Sequence, residues 1–561
     1  MYPGWGFDLF FDSFLLYQDK GNEHKLGDQK WIDFTGKEGD VMKLVTREEM
    51  KMLDWNAQND YNIPAAVLME NAGIAVTLAM EDKIEKLHEK SVSVIIGKGN
   101  NGGDGMVVAR TLFNMGVDTR CFLLSDPSAF KKDAKMNYGI LKKIGIEINV
   151  VDAPNKLDTL RDSLLETDVV VDAILGIGLE GNVRTPYSNV IEMINSLKHL
   201  IIVSVDVPSG IDSNTGKVLG SGVKADYTIT FGLPKLGFAF YPARDYLGNL
   251  SISNINMPYS LLNTSTLKRD LITTSMVKSL LIDRPQDSNK GTFGKLYILG
   301  GATGYSGAVC LTAKAALRAG VGLAYTAVPQ SISSIIEANV LEAVKRPLPT
   351  STEGTIGIKA KNTVLEDISK VNAIAIGPGM GRNFETAEII KEILKNTNKN
   401  ILIDADGLNL LSTDVSILKG FKGNLILTPH PLEFSRLTGK TVEEILNSRV
   451  ESAEQFAKEY KVVLVLKGNP TVIAGPDGGT RINLTGNSGL ATGGSGDVLT
   501  GIISSLMAQG LAPLDAATAG TFIMGKCAER YAETKAEDAL LPSDVIELIP
   551  EVIRDIRERN S

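Results

Sequence analysis

The chain has 561 residues, of which 43% are hydrophobic and 22% are charged, and its formal net charge is −8. This length exceeds what one hydrophobic core supports, so we expect two or three globular domains. The acidic balance argues against a general binder of nucleic acids or membrane surfaces, and no apolar run reaches the roughly 18–20 residues of a membrane span. The three cysteines lie far apart, which excludes a disulfide framework or a structural zinc site and indicates a reducing cytoplasm.

The first 41 residues differ in composition from the rest of the chain. They are rich in aromatic residues, but two aspartates interrupt the apolar part. No basic segment precedes that part and no small-residue cleavage site follows it, so a signal peptide is not expected. Thr46 and Glu49 then form a capping box ahead of an amphipathic pattern. We therefore expect the folded protein to begin near Met42, with residues 1–41 as an accessory extension or a misassigned start.

Short β-branched runs recur in the first half, and each ends in a glycine-rich turn that precedes a helix-like stretch. These runs begin at Val92, Val169 and Leu200. Continuous apolar strands that alternate with amphipathic helices predict βαβ units and a parallel sheet covered on both faces. Ligands of such sheets bind beyond the carboxyl ends of the strands, where the glycine-rich turns lie. The pattern predicts a Rossmann-like, three-layer α/β domain over residues 42–256.

A polar stretch without a sustained period separates the two halves, and we expect a linker at residues 257–274. A second α/β series follows, with apolar runs that begin at Gly294, Asn372, Asn400, Asn424 and Val462. The two halves show no repeat of each other. We therefore predict a second, different α/β domain over residues 275–555, with a site of its own.

The segment GLATGGSGDVLTG, residues 489–501, places several glycines and one aspartate before an apolar run. Glycines let the backbone approach a ligand closely, and a helix that begins there offers unpaired N–H groups and a positive dipole end to a phosphate. The same helix end is expected to stabilise the charged form of Asp497, which is then placed to accept a proton from a bound hydroxyl. The alternative is an ordinary glycine-rich turn in which Asp497 only caps the helix.

Five more motifs follow one another in the second half: Gly291–Leu323, Gly377–Gly381, Leu402–Leu411, Leu427–Leu437 and Leu466–Ile473. With the glycine-rich segment, they resemble the ADP-dependent NAD(P)H-hydrate dehydratase family of the ribokinase-like superfamily. The resemblance covers roughly residues 275–549 and implies a ribokinase-like α/β fold. It also implies a reaction in which ADP phosphorylates the C6 hydroxyl of hydrated NADH or NADPH. Phosphate then leaves, the ring double bond returns, and AMP is the other product.

The same resemblance implies the residues of the second site. Asp497 would take the proton from the C6 hydroxyl, while the backbone of residues 493–496 stabilises the transferred phosphoryl group and Mg²⁺ accompanies ADP. The hydrate would contact Ala319, Gly379, His430 and Asp497. ADP would contact Lys467, Gly468, Asn469, Pro470, Thr471, Asn487, Ser488, Gly489, Leu490, Ala491, Thr492, Gly493, Gly494, Ser495 and Gly496. A solvated strand-end lysine and a histidine bonded only to backbone are the alternatives for Lys467 and His430.

In the first half, the segment GKGNNGGDGMVVAR again places glycines and an acid between a strand and a helix. With Val171–Arg184 and Val203–Asp212, it resembles the NAD(P)H-hydrate epimerase domain, over about residues 43–256. The resemblance implies interconversion of the R and S hydrates, which supplies the dehydratase with the S form. The implied hydrate contacts are Asn100, Asn101, Gly102, Gly103, Asp104, Gly176, Ile177, Gly178, Leu179, Glu180, Gly181, Asn182 and Asp206.

The epimerase resemblance also implies a potassium ion. Its ligands would be Asn101, Asp172 and Ser209, whose oxygen donors suit a monovalent cation better than zinc. Asp206 follows an apolar strand and is our first candidate for acid–base chemistry, ahead of Asp104. A turn-forming aspartate is the alternative for Asp206.

Taken together, these observations predict a cytoplasmic, bifunctional repair enzyme that acts on NADHX and NADPHX, the hydrated forms of NADH and NADPH, with ADP as co-substrate. We expect a homo-oligomer with no nucleic-acid or membrane partner. Two alternatives stay open. The second domain could be a kinase for a stable small alcohol, or the first domain could bind nucleotides or proteins without catalysis.

Overall fold

A seven-stranded parallel sheet organises the first half of the chain. The computed structural model describes residues 42–558, so the extension predicted for residues 1–41 lies outside the described residues. The strands are β1 (Ser91–Ile96), β2 (Asp118–Leu123), β3 (Glu147–Val150), β4 (Val169–Ala173), β5 (Ile201–Val205), β6 (Tyr227–Phe231) and β7 (Asn249–Ser253). They lie in the order β3-β2-β1-β4-β5-β6-β7, and each neighbouring pair is parallel. Because the order reverses between β1 and β4, the loops after these strands open into one crevice.

Helices cover both faces of this sheet, as a buried parallel sheet requires. They are α1 (Arg47–Asn59), α2 (Ala65–Lys83), α3 (Asn100–Asn114), α4 (Lys132–Ile144), α5 (Leu157–Leu165), α6 (Tyr187–Ser196), α7 (Ala243–Leu247) and α8 (Tyr259–Leu262). Apolar residues of α1 to α4 form one core, and those of α5 and α6 form another. The predicted three-layer, Rossmann-like architecture is confirmed.

A ten-stranded sheet organises the second half. Its strands are β8 (Arg269–Leu271), β9 (Lys295–Leu299), β10 (Leu323–Pro329), β11 (Val344–Leu348), β12 (Ala373–Ile376), β13 (Asn400–Ile403), β14 (Leu425–Leu427), β15 (Val463–Leu466), β16 (Thr471–Ala474) and β17 (Thr480–Asn483). They lie in the order β11-β10-β9-β12-β13-β14-β15-β16-β17-β8. Only the pairs of β16 with β15 and with β17 are antiparallel in the described sheet. This arrangement agrees with the predicted ribokinase-like α/β fold.

Helices also cover both faces of the second sheet. They are α9 (Thr274–Leu280), α10 (Ser306–Arg318), α11 (Ser333–Asn339), α12 (Lys361–Ile368), α13 (Phe384–Asn396), α14 (Asp406–Leu411), α15 (Pro431–Thr438), α16 (Val442–Asn447), α17 (Arg449–Tyr460), α18 (Ser495–Gln509), α19 (Pro513–Ala532) and α20 (Pro542–Glu558). Helix α18 is buried on almost every side, which its continuous apolar sequence requires. Among the helices of residues 42–558, none has the length and apolar character needed to cross a lipid bilayer.

The connection between the two sheets is itself folded. Helix α8 and strand β8 both lie within residues 257–274, where the sequence predicts a linker. Strand β8 pairs in parallel with β17, so it forms one edge of the second sheet. The predicted linker thus contributes a strand to the second domain.

The first described residues join the two domains. The N–H of Leu44 donates to the carbonyl of Arg269 in β8 (3.0 Å), and the N–H of Val45 donates to the carbonyl of Pro234 after β6 (3.1 Å). The side chain of Leu44 is fully buried in a core of the second domain. One short extended segment therefore bonds to both halves of the protein.

Arg269 connects the same junction through charge. Its guanidinium donates two hydrogen bonds of 3.0 Å to the carboxylate of Glu454 in α17 and one of 3.0 Å to Glu49 in α1. Burial acts to lower the pKa of Arg269, but the two carboxylates outweigh burial and raise it. Two-pronged arginine–carboxylate pairs of this kind are among the stronger polar contacts in proteins.

We predict that Arg269→Met destabilises the protein, because methionine keeps the side-chain bulk but leaves Glu454 without its ion-pair partner. The loss should be about 2 kcal/mol, which corresponds to a thermal unfolding midpoint lower by about 2 °C for a chain of this length. The control is Arg554→Met, since Arg554 is 59% exposed in its ion pairs and should shift the midpoint by less than about 1 °C. Equal midpoints for Arg269→Met and the wild type would contradict the prediction.

Candidate active sites

A cavity of about 680 Å³ opens at the carboxyl edge of the first sheet. The loops after β1, β4 and β5 and one side of α1 line its wall. The predicted hydrate contacts that line it are Asn100, Asn101, Asp104, Gly176, Ile177, Gly178, Leu179, Glu180 and Asp206. Residues of three separate sequence motifs therefore meet at one site.

Four predicted hydrate contacts do not line this cavity: Gly102, Gly103, Gly181 and Asn182. A Cβ atom on Gly102 would lie 1.9 Å from the carbonyl oxygen of Gly97, and one on Gly103 would lie 2.7 Å from the sulfur of Met69. The two glycines are needed for the close packing of α3 against β1 and α2. Their predicted contact with the hydrate therefore involves no side chain and stays a prediction.

The three predicted potassium ligands are buried below the cavity. The side-chain oxygen and nitrogen of Asn101 have no hydrogen-bond partner among the described residues. The carboxylate of Asp172 accepts hydrogen bonds from the hydroxyl (2.5 Å) and the N–H (2.9 Å) of Ser209 and from the hydroxyl of Ser204 (2.8 Å). Burial raises the pKa of Asp172 while these bonds act to lower it. An unpartnered amide oxygen, a hydroxyl and one carboxylate form a donor set that fits a monovalent cation.

A buried ion pair stands at the inner end of the cavity. Lys235, which is fully buried, places its ammonium 2.6 Å from Oδ1 of Asp206 and also donates to the hydroxyl of Thr230 (2.8 Å). Asp206 has a φ of 64°, in the left-handed region that an aspartate seldom adopts. Oδ1 of Asp206 also accepts hydrogen bonds from the hydroxyl of Thr230 (3.0 Å) and the N–H of Phe231 (3.3 Å). Because this oxygen is already occupied by protein donors, the geometry does not favour Asp206 over Asp104 for proton transfer.

Two further carboxyls line the same cavity. Burial raises the pKa of Asp104 well above its usual range, and the carboxylates of Asp206 and Asp54 raise it further. Burial also raises the pKa of Asp54 to about 6, although the ammonium of Lys235 acts in the opposite direction. The first site thus holds one paired carboxylate and two carboxyls whose protons are retained closer to neutral pH.

The sequence analysis did not identify Asp54 or Lys235 as site residues, although each is a charged residue in an apolar pattern. Asp54 lies on the face of α1 that carries the buried residues Met50 and Ala57. Lys235 is a lone lysine within an apolar stretch after β6. An isolated charge on a buried face requires a partner or a function. Neither residue belongs to a glycine-rich motif, so the motifs do not indicate either of them.

The second site lies where α18 begins. Asp497 is in the first turn of this helix, directly after the glycines of residues 493–496. A Cβ atom on Gly496 would lie 3.4 Å from a carboxylate oxygen of Asp404 and 3.5 Å from Nζ of Lys467. The structure therefore brings three predicted residues, Lys467, Gly496 and Asp497, into one group around Asp404.

Lys467 forms a buried ion pair rather than reaching into solvent. Its ammonium lies 2.9 Å from Oδ1 of Asp404 and 3.8 Å from Oε2 of Glu433. Burial acts to lower the pKa of Lys467, but these carboxylates outweigh burial and raise it. The other oxygen of Asp404 accepts a hydrogen bond from Thr500 in α18 (2.9 Å). The pair thus fixes the ammonium of Lys467 at the carboxyl ends of β13 and β15.

The protonation of Asp497 differs from the sequence expectation. Burial and the nearby carboxylate of Asp404 raise its pKa to about 7, although Lys467 acts to lower it. A helix N-terminus stabilises an anion by about 0.3–1 kcal/mol, which is less than one pKa unit. Because desolvation is the larger effect here, the expected stabilisation of the charged form is wrong. The carboxyl is instead poised near neutral pH, as a general base should be.

His430 has a structural role on one side of its ring. Its Nδ1 accepts hydrogen bonds from the N–H groups of Leu432 (3.1 Å) and Glu433 (3.2 Å), which caps the start of α15. Burial and the charge of Lys467 lower the pKa of His430. Since Nδ1 accepts, the proton of the neutral ring lies on Nε2. The Nε2 atom lies 3.4 Å from Oε1 of Glu433, and the ring is half exposed, so Nε2 lies between this carboxylate and solvent.

Gly379 packs against the start of α10, whereas Ala319 lies just after the end of that helix. Gly379 has a φ of 56°, and a Cβ atom there would lie 2.7 Å from the carbonyl oxygen of Tyr305 and 3.0 Å from Cβ of Ala308. Ala319 is buried, and its carbonyl accepts a hydrogen bond from Gln509 (3.0 Å). Gln509 ends α18, about 18 Å along the helix from its first turn.

This distance separates Ala319 from the rest of the second site, so the structure does not support its predicted contact with the hydrate. Ala308, in the first turn of α10, packs beside Gly379, whereas Ala319 caps the far end of that helix. The motif contains several alanines, and the sequence alone does not distinguish between them.

The predicted ADP contacts form two segments. Residues 467–471 make the turn between β15 and β16, and residues 487–496 connect β17 to α18. Two residues of the second segment contact other parts of the protein. The side chain of Asn487 donates a hydrogen bond to the carbonyl of Ala528 (2.9 Å), and Gly489 is buried against Leu540. The portion that faces the Lys467–Asp404 pair is the glycine-rich end of the second segment.

Comparison with known proteins agrees with this division of the chain. A family model described as YjeF-related protein N-terminus matches residues 65–237, and one described as NAD(P)H-hydrate dehydratase matches residues 296–551. The bifunctional NAD(P)H-hydrate repair enzyme Nnr of Moorella thermoacetica is 40% identical over 92% of this chain and 98% of its own length. The protein of the same name from Thermofilum pendens is 39% identical over 92% of this chain and 97% of its own length.

One solved structure is similar to the second half alone. It is the ADP/ATP-dependent NAD(P)H-hydrate dehydratase of Bacillus subtilis, co-crystallised with ATP and Mg²⁺. That protein is 30% identical, and the match covers 51% of this chain and 98% of that chain with a TM-score of 0.44.

We predict that Asp497→Asn raises the thermal unfolding midpoint more at pH 8 than at pH 5. The carboxyl has a pKa of about 7 in the folded protein against an ordinary value of 3.8. Between these values the folded protein keeps a proton that the unfolded chain has lost, so the wild type loses stability as the pH rises through 7. An asparagine does not titrate and avoids this loss.

The control for this prediction is Asp158→Asn, because Asp158 is an exposed carboxylate in the first turn of α5. Its effect on the midpoint should be small and similar at both pH values. A difference between Asp497→Asn and the wild type that is no larger at pH 8 than at pH 5 would contradict the raised pKa.

Proposed function

Since the chain belongs to the family of bifunctional NAD(P)H-hydrate repair enzymes, we propose that its two sites carry out the two steps of that repair. The first site interconverts the R and S hydrates of NADH and NADPH. The second site dehydrates the S hydrate at the expense of ADP, giving AMP and phosphate. The observation that carries this proposal is that each site places a buried lysine–aspartate pair beside a carboxyl whose pKa is raised.

In the first site, the hydrate occupies the cavity, with its phosphates at the start of α3. The unpaired N–H groups of residues 100–102 at this helix end favour an anion. The nicotinamide end then reaches the carboxyls of Asp104 and Asp206. The ring binds against the Lys235–Asp206 pair, which forms a polar part of the cavity wall. Asp104 exchanges protons with the C6 hydroxyl.

The first site also binds potassium in this proposal, through Asn101, Asp172 and Ser209. When bound, the ion supplies positive charge beneath the phosphate-binding loop. The unpartnered side chain of Asn101 supports the assignment, because a buried amide without a partner costs free energy unless a ligand satisfies it. The other two proposed donors, the hydroxyl of Ser209 and the carboxylate of Asp172, are hydrogen-bonded to each other.

In the second site, Asp497 removes the proton of the C6 hydroxyl of the S hydrate. The oxygen attacks the terminal phosphorus of ADP, which enters with Mg²⁺, and AMP leaves as the O–P bond forms. The lone pair of the ring nitrogen then expels phosphate from C6. Loss of a proton from C5 restores the double bond, so the net change is removal of water and cleavage of ADP.

The remaining groups of the second site position the two substrates. Lys467 places its ammonium where the phosphates approach the bare backbone of Gly496. His430 donates its Nε2–H to the hydrate. Gly379 has no side chain, so the loop after β12 packs closely against the start of α10. We propose Ala308 in place of Ala319 as the alanine that contacts the hydrate. Preference for ADP over ATP is part of the proposal.

We also propose domain boundaries at residues 42–256 and 275–555, which enclose the two ranges matched by the family models.

We propose from the same resemblance that the protein is a homo-oligomer and that it acts in the cytoplasm. Three free cysteines, two of them buried, support a reducing compartment: Cys121, Cys310 and Cys527.

The proposed function is tested by recovery of dihydronicotinamide absorbance from purified hydrates with ADP, Mg²⁺ and K⁺. The S hydrate should regain its absorbance, and so should the R hydrate, because the first site converts it to the S form. Failure with fresh S hydrate would overturn the dehydratase assignment, and recovery from the S form alone would overturn the epimerase assignment. Phosphorylation of a stable alcohol by ATP, without recovery of absorbance, would instead indicate a kinase.

We predict that Gly496→Ala raises the KM for ADP at least about tenfold without lowering the unfolding midpoint. The added methyl group makes only ordinary contacts with Asp404 and Lys467, at 3.4 and 3.5 Å, so the fold tolerates it. It does occupy the surface that the phosphates approach. The control is Gly139→Ala in α4, where a Cβ atom meets nothing within 4 Å. An unchanged KM for ADP in Gly496→Ala would place the phosphates elsewhere.

A further inference from the structure

The first site contains a carboxyl to which neither the motifs nor the family resemblance gives a role. Asp54 lies on α1 and lines the same cavity as Asp104 of α3 and Asp206 after β5. Within residues 42–558, the carboxyls of Asp54 and Asp104 have no hydrogen-bond or ion-pair partner, whereas Asp206 is held by Lys235. Two unpartnered carboxyls from different helices therefore face one substrate cavity.

The two carboxyls differ in how firmly they hold a proton. With a pKa raised to about 6, Asp54 is mostly ionised at neutral pH. Burial and the two neighbouring carboxylates raise the pKa of Asp104 well above its ordinary value, which favours its protonated form. Two neighbouring carboxyls whose surroundings shift their pKa values by different amounts are the usual arrangement of a paired acid and base.

We propose that Asp54 is the second proton-transfer group of the epimerase site and works as a pair with Asp104 on C6 of the hydrate. This inference rests on the proposed epimerase function. Epimerisation at a carbon that bears a hydroxyl and a ring nitrogen needs both a proton donor and a proton acceptor. A single carboxyl supplies only one of them at a time.

The proposed step balances without any co-reactant other than water. Asp104 gives its proton to the C6 hydroxyl, the C6–O bond breaks, and water leaves as the lone pair of the ring nitrogen forms a C=N⁺ bond. A second water then attacks the other face of C6 and loses a proton to Asp54. The new C6–O bond returns the electron pair to the nitrogen. One water leaves, one is added, and the two carboxyls exchange their protonation states.

Charged groups from several elements line the cavity with Asp54. Asp104 lies on α3, and Asp206 and Lys235 lie in the loops after β5 and β6. Lys51 of α1, Lys98 after β1, Asp133 of α4 and Glu180 after β4 line the same cavity. Loss of the Asp54 charge should therefore affect the low-pH side of the epimerase rate profile, where Asp54 becomes protonated in the wild type.

The experiment uses the full chain with purified R hydrate, ADP, Mg²⁺ and K⁺. Recovery of absorbance from the R hydrate requires epimerisation followed by dehydration, whereas recovery from the S hydrate requires dehydration alone. In Asp54→Asn, recovery from the R hydrate should fall at least about a hundredfold towards the uncatalysed background. Recovery from the S hydrate should be unchanged, and this serves as the internal test of folding.

The matched control is Asp60→Asn, because Asp60 is an exposed aspartate at the other end of α1. It should retain both activities. Asp54→Glu should regain part of the epimerase rate, with a changed low-pH limb, since it restores a carboxyl at the same place. If Asp54→Asn keeps its epimerase rate within about threefold, or if Asp54→Glu is no better than Asp54→Asn, Asp54 does not carry the proton.

Isotope exchange gives a second readout. When ADP is omitted and the reaction is run in ¹⁸O-labelled water, the hydroxyl at C6 should acquire the label at the rate of epimerisation. Epimerisation without uptake of the label would overturn the two-carboxyl step even if Asp54 is essential. A wild type that dehydrates the S hydrate but never converts the R form would refute the proposed epimerase function itself, and the inference with it.

Discussion

A buried lysine paired with an aspartate, at the carboxyl edge of a parallel sheet, is the interaction on which both sites depend. Lys235 lies 2.6 Å from Asp206 in the first domain, and Lys467 lies 2.9 Å from Asp404 in the second. Each pair is costly to bury, and it is retained where its hydrogen bonds are satisfied. A third acid placed beside such a pair is desolvated and repelled, so it holds its proton more firmly.

The two domains apply this arrangement to different chemistry. In the first, the neighbouring acids Asp54 and Asp104 line the cavity in which we propose that the hydrate binds. In the second, the neighbouring acid is Asp497, which starts a helix behind a bare glycine backbone, where the phosphates of a nucleotide can approach. Leu44 and Arg269 bond to both domains at their junction, although the residues of each site come from one sheet and its helices.

The sequence predicts the architecture well because glycine-rich turns after apolar strands must meet at one sheet edge. It predicts the site less completely. Lys235 and Asp54 lie outside the motifs, and only the fold brings them to the cavity. The short, polar strand β8 gives no apolar run, so its place in the second sheet depends on pairing with β17. The direction of the Asp497 pKa shift was mistaken because a helix terminus is visible in the sequence, whereas the depth of burial is not.

The central claim is that burial beside the Lys467–Asp404 pair brings the carboxyl of Asp497 near neutrality. The most direct test is a pH titration of the carboxyl bands by infrared difference spectroscopy, with the spectrum of Asp497→Asn subtracted from that of the wild type. The structure predicts one carboxyl that ionises with a pKa of about 7. A carboxyl that is fully ionised above about pH 5 would contradict it, because Asp497 would then behave as an ordinary exposed aspartate.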